Sequence, residues 1–164
     1  MTREARPDHD YPSVFVRGRR YPRFMALENE RYVLGLCDEV VGAPSRRQHT
    51  FEWLKGDPSP KTGRSKPLPV DAYWPSLRLV VEFHEKQHTE AVRHFDKPDV
   101  LTVSGVHRGL QRRIYDDLRR ELIPAHGLSL VIIPMSDFQV RGRFIAQDHD
   151  SDLEIVRTTL AAFI

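Results

Sequence analysis

One cysteine, Cys37, is all the chain contains, so no internal disulfide can hold it together. That fits a reducing compartment, and Cys37 itself reads as a small apolar helix residue. Long apolar runs are also missing. No segment approaches the length of a membrane span, and the opening MTREARPDHD has no apolar signal-peptide core. Internal repeats and low-complexity tracts are absent as well. A single cytoplasmic domain with no membrane partner is the expectation, and 164 residues are enough to bury a sizeable core. An apolar fraction of 40% and a charged fraction of 29% suit a soluble globular chain rather than a disordered one.

Net charge is also small, +2, but its distribution is uneven. Arg17, Arg19, Arg20 and Arg23 cluster near the N-terminus among Phe15, Tyr21 and Phe24. A second group, Arg108, Arg112, Arg113, Arg119 and Arg120, falls on a predicted helix. Such clusters can meet the phosphates of DNA. Asp116, Asp117 and Glu121 on the same helix offer the alternative of a solvated face with internal ion pairs.

The densest chemistry lies in LPVDAYWPSLRLVVEFHEKQH, Leu68 to His88. Asp71 sits on one apolar run and Glu82 ends the next, with Trp74-Pro75-Ser76 between them as a tight turn. Antiparallel strands joined there would bring both carboxylates to the same end of a hairpin, a site for Mg²⁺. His84, Glu85, Lys86 and His88 follow, groups able to move protons. HEKQH is also a literal H-E-x-x-H, and with His94 it takes the metzincin spacing, Ala91 replacing the glycine. A zinc protease would use His84, Glu85, His88 and His94, but it needs both first histidines on one helix face. Val80, Val81 and Phe83 make the preceding run β-rich, which places His84 at the end of a strand.

Along the chain, residues 1–25 read as a basic arm or small hairpin, with strand segments at Ser13–Val16 and Arg19–Tyr21. A helix is predicted over Ala26–Val41, ended by Gly42 and Pro44. Glu30 shares its apolar face with Val33 and Cys37, and a glutamate facing a core usually has a purpose or a partner. Strands follow near Thr50–Leu54, Leu68–Trp74 and Leu77–Phe83, with a Gly/Pro/Ser/Lys loop over 56–67. A helix from Ser104 or Gly105 to Ile123 carries the stripe Val106, Leu110, Ile114, Leu118 and Leu122. SLVIIP, 129–134, has the apolar continuity of a central buried strand. A last helix starts at Ser151, capped in a box with Glu154, within an extension over 139–164. Glu85, His94 and His107 read as surface residues, and Trp53 and Trp74 as core.

This order of helix, three strands, helix and strand is an α/β arrangement. With PVDAY, VVEFHEKQH and RRIYDDLRRELIPAHGLSLVIIP in sequence, the chain resembles the PD-(D/E)XK nucleases. Among them it looks most like the very-short-patch-repair and related small endonucleases, over about Ala26 to Phe138. The resemblance implies a restriction-endonuclease-like core over 26–138, a central mixed sheet flanked by helices. It implies Mg²⁺ or Mn²⁺ held by Asp71 and Glu82, with the backbone carbonyl of Phe83 and, as in some members, a helix glutamate at Glu30. The ion would activate water and polarise the scissile phosphate. His84 stands where the E-x-K lysine of the main pattern would be, Lys86 could reach back from the turn, and His88 matches the histidine after the strand. The implied activity is hydrolysis of DNA phosphodiesters in repair or in defence against foreign DNA, with a homodimer as one assembly open to the chain. A nuclease-fold binding module that has lost catalysis is the non-enzymatic alternative.

Overall fold

The computed structural model describes residues 13–16, 19–22, 27–85 and 108–164. Its elements run β1 (Ser13–Val16), β2 (Arg19–Pro22), α1 (Leu27–Val41), β3 (Arg46–Lys55), β4 (Pro67–Trp74), β5 (Leu79–His84), α2 (Arg108–Ala125), β6 (Ser129–Pro134), β7 (Val140–Arg141), β8 (Phe144–Ile145) and α3 (His149–Leu160). β1 and β2 pair as an antiparallel hairpin. The main sheet has four strands in the order β3-β4-β5-β6, antiparallel except for the β5–β6 pair. It is therefore a mixed sheet flanked by helices, as the α/β pattern implied. A parallel pair needs a long crossover, and α2 lies within the one between β5 and β6.

Two cores lie on the two sides of this sheet. The larger joins Val33, Leu34, Leu36 and Cys37 of α1 and Val156 and Leu160 of α3 to Trp74, Leu79, Val81, Phe83 and Ile133. The smaller joins Ile123, Leu118 and Leu122 of α2 to Leu54, Val70 and Val80. β5 is buried at every position, because helices cover both its faces and strands flank both its edges. Residues 139–164 belong to the first core through Ile145 and α3. Asn29, buried in α1, donates to the Arg143 carbonyl at 2.9 Å and accepts from the Ile145 N–H at 3.0 Å, which fastens β8 to the helix.

Several expectations need correction. β6 is not the central strand: among the described residues its only strand neighbour is β5, and its apolar run is buried by helices instead. Strand β5 starts at Leu79, not Leu77, since the turn takes four residues, Pro75 to Arg78, and Arg78 adopts φ +51°. β3 begins at Arg46, ahead of the apolar signal, because its first residues pair with β4 through the backbone alone. Leu110 and Ile114 are 49% and 40% exposed, so only the C-terminal half of α2 carries its stripe onto the sheet. The cap of α3 is Asp148, whose carboxylate accepts from the Ser151 N–H at 3.5 Å; Ser151 lies inside the helix. An aspartate caps as well as a serine, and the Gln147 backbone at φ +55° turns the chain one step earlier.

Candidate active site

The ladder between β4 and β5 stops at the pair Ala72–Val81. One step further, Asp71 stands opposite Glu82, and here side chains take over from backbone pairing. The Asp71 N–H donates to Glu82 Oε1 at 3.2 Å, and the Phe83 N–H donates to Asp71 Oδ2 at 2.9 Å. Each carboxylate thus answers an N–H that the ended ladder leaves without a carbonyl. The pair lies at the open end of the hairpin, three residues from the turn on either strand. That end is where the two strands part.

A slip in the strand pattern marks the same place. Val70 and Ala72 are two residues apart, yet Val70 packs with α2 and Ala72 with α1 and α3. Strict alternation is therefore broken at Asp71. Between the pairs Arg47–Ala72 and His49–Val70, Gln48 takes φ +48°, a conformation that L side chains rarely adopt. Its amide Nε2 donates to Glu30 Oε1 at 3.2 Å and to Asp71 Oδ1 at 3.3 Å. Glu30, from the first turn of α1, is in this way tied to the strand carboxylates across an amide.

Burial comes first in the electrostatics, with neighbouring negative charge second. Burial, then repulsion from Asp71, pushes Glu82 up to about 8, against the smaller pull of Arg119. Burial and Asp71 likewise push Glu30 up to about 7, with Gln48 opposing and Glu85 adding repulsion. Arg119 of α2 sets its Nε 3.6 Å from Glu82 Oε2, an ion pair beyond hydrogen-bond range, and that buried Nε has no hydrogen-bond partner. Its other nitrogens are committed to Asp116 and to the Pro69 carbonyl. Arg119 and, at Glu30, Arg47 oppose these rises without cancelling them.

Among the described residues, no three His, Cys, Asp or Glu side chains stand as a ready-made metal-ligating set. Mg²⁺ does not require one, since it is commonly held by one or two carboxylates with water and substrate phosphates completing its shell. Asp71 and Glu82, neighbouring hard oxygen donors, fit such an ion, and Glu30 stands across Gln48 as a further oxygen donor.

The remaining candidate residues divide. His84 is the last residue of β5, buried, and paired in register with Pro134. Being in a strand, it is not part of the helix that a zinc protease would need to present His84 and His88 together. Glu85 follows it, half-buried. Lys86, His88 and His94 lie outside the described residues, as do Arg17, Arg23 and His107. Arg19 and Arg20 lie in β2. On α2, Arg113 is exposed and Arg112 half-buried, while Arg119 pairs with Asp116 and Arg120 with Asp117. The internal pairing weighed for that helix is thus present at its Arg119 and Arg120 end.

Two participants have no signal in the sequence that marks them. Gln48 is a polar residue at the head of an edge strand, which is ordinary. Arg119 is one arginine among five, and only the packing of α2 against β4 and β5 singles it out. Trp53 is half-buried and packs against the smaller core, as expected of it, within a row of rings on β3. Comparison with known proteins adds nothing further: no family model, curated protein or solved structure matches the chain.

Proposed function

We propose that the chain is a nuclease with a restriction-endonuclease-like core, hydrolysing DNA phosphodiesters with Mg²⁺ or Mn²⁺ at Asp71 and Glu82. The observation that carries this reading is the facing pair itself. A buried glutamate on a central strand opposes an aspartate where the strands part, and burial and mutual repulsion raise the glutamate's pKa. A divalent cation, when bound, would activate water and offset the charge on the phosphate and leaving oxygen. Asp71 and Glu82 would hold it, their carboxylates oriented by the N–H bonds from Phe83 and Asp71. His84, two residues after Glu82 in β5, would take the proton from the attacking water as a neutral imidazole. Among the described residues no helix is long and apolar enough to cross a membrane.

The test is incubation of plasmid, nicked, mismatched and single-stranded DNA with and without Mg²⁺ or Mn²⁺. Cleavage that requires the metal and disappears in Asp71→Asn supports the reading. Metal-independent binding without cleavage by the wild type would favour the non-enzymatic binding module, and tightly held stoichiometric zinc the protease. A second pair of variants assigns the proton acceptor. His84→Ala is expected to lower turnover by about 10²-fold or more while DNA affinity holds, since general-base loss acts on the transition state. If Lys86→Ala abolishes cleavage while His84→Ala is tolerated, the role passes to the lysine.

The basic N-terminal segment would serve affinity rather than turnover. Replacing Arg17, Arg19 and Arg20 with alanine is expected to weaken binding. The salt slope should fall by about 0.7–0.9 for each phosphate that is no longer neutralised. An unchanged slope would make the segment a solubilising arm.

A further inference from the structure

An aromatic row runs along edge strand β3 away from the carboxylate centre. His126, just past α2, lies flat on Trp53, ring centroids 3.9 Å apart and planes 7° apart. Trp53 stacks on Phe51 at 4.7 Å, and Phe51 meets Tyr73 edge-on at 5.1 Å. Tyr73 stacks with His49 at 4.9 Å. The row ends beside the carboxylates, because His49 follows Gln48 and Tyr73 lies two residues from Asp71 in β4.

Phe51, Trp53 and Tyr73 pack against the smaller core yet keep part of their surface open. His126 is exposed, and together with Arg78 the four rings line a cavity of about 570 Å³. Among the described residues, no acidic side chain lines it. The Arg78 guanidinium donates to the Gly127 carbonyl at 3.0 Å and to the His126 carbonyl at 3.3 Å, which ties the hairpin turn to the segment carrying His126. Arg46, exposed, pairs in register with Tyr73 at the other end of the row. The aromatic lining offers π-surface for a flat ring, and Arg78 in the cavity wall and Arg46 beside Tyr73 offer positive charge for the phosphates beside it. A paired base has both faces covered by its neighbours; an unpaired base does not. Stacking of single-stranded bases on protein rings is sequence-tolerant, because every base has a π-face.

We infer that the row of Phe51, Trp53, Tyr73 and His126 is a stacking site for unpaired bases of a DNA strand, with the adjoining backbone led toward Asp71 and Glu82. The inference rests on the nuclease reading and narrows its substrate to DNA with a single-stranded segment.

Trp53 provides the reporter, since the other tryptophan, Trp74, is 1% exposed and donates its indole N–H to the Ala43 carbonyl. The full chain is titrated in EDTA with oligo-dT, a blunt duplex, and the same duplex carrying a dT overhang. Saturable quenching by oligo-dT and by the overhang, with a weaker response to the blunt duplex, is the expected result. Trp53→Ala, followed by fluorescence anisotropy of labelled DNA, should weaken single-strand binding by about five- to 150-fold, the range of one lost base stack. Trp53→Phe should restore most of that loss, which a merely misfolded variant would not explain. Equal affinity for blunt and single-stranded DNA, unaltered by Trp53→Ala, overturns the inference while leaving the nuclease reading intact. Absence of metal-dependent cleavage by the wild type on any of these DNAs overturns the nuclease reading. The stacking site would then fail as a substrate site too, whatever its affinity for DNA.

Discussion

Glu82→Gln should abolish metal-dependent cleavage and, at the same time, make the protein more stable. Loss of a carboxylate ligand costing about 4 kcal/mol of transition-state stabilisation lowers the rate on the order of 10³-fold. The stability gain follows from the raised pKa. In the fold Glu82 titrates at about 8, against 4.5 for an unperturbed glutamate. Between those values the folded state holds a proton that the unfolded state has released. The stability that Glu82 contributes is therefore fully present below pH 4.5 and is lost as pH rises toward 8. Glutamine carries no such charge, yet its amide oxygen can still accept the Asp71 N–H. Thermal melts in EDTA should show Glu82→Gln melting above the wild type at pH 9, with the gap closing at pH 5. Each kcal/mol recovered should raise the midpoint by roughly 2–4 °C.

Arg119 works against that gain. Removing Glu82 leaves its guanidinium short of one partner. Burial and repulsion from Asp71 both outrank Arg119 among the causes of the Glu82 shift, however, so removal of the charge should dominate. The guanidinium also keeps Asp116 at 3.4 Å and the Pro69 carbonyl at 3.0 Å. A variant that melted lower than wild type at pH 9 would reverse this ranking. It would mean that the Arg119–Glu82 pair holds the sheet against α2, and that Glu82 is a structural residue. An ionised carboxylate pair that costs the fold stability would be relieved by a bound cation.

The placement of Asp71 and Glu82 on facing strands was legible because both lie in apolar runs with a turn between them. Period-two pairing then leaves little freedom. The edges of those runs were not legible. Leu77 and Arg78 look like strand residues, but the positive φ of Arg78 and its guanidinium bonds to the His126 and Gly127 carbonyls place it in a four-residue turn. Apolar content misled for β6, where burial comes from helices on both faces rather than from strands on both edges. It misled again for Leu110 and Ile114, which keep helical spacing after the sheet beneath has ended. Gln48 is the deeper case. Its bridge between Glu30 and Asp71 depends on a strained backbone, and no residue type at that position announces it.

Binding of Mn²⁺ should be coupled to proton release, and the coupling should identify which carboxylates meet the ion. A cation competes with protons for the same oxygens. With Glu82 raised to about 8 and Glu30 to about 7, most of the first and half of the second are protonated at pH 7. If both become ligands, binding at pH 7 should release about one to one and a half protons. Calorimetry in two buffers of different ionisation enthalpy measures that number directly. Affinity should rise with pH and level off once pH exceeds the higher of the two values, about 8. Below pH 7 the dissociation constant should worsen by up to about 100-fold per pH unit if both protons are displaced, and by about tenfold if only one is. Glu30→Gln decides between these. Should that change lower the release at pH 7 by about half a proton, Glu30 belongs to the metal shell. If the release is unaltered, only the strand carboxylates hold the ion and Gln48 keeps Glu30 apart from it. Mn²⁺ binding with no proton release at all would mean that Glu82 is already ionised in the fold, and that the carboxylates do not crowd one another as their burial and spacing require.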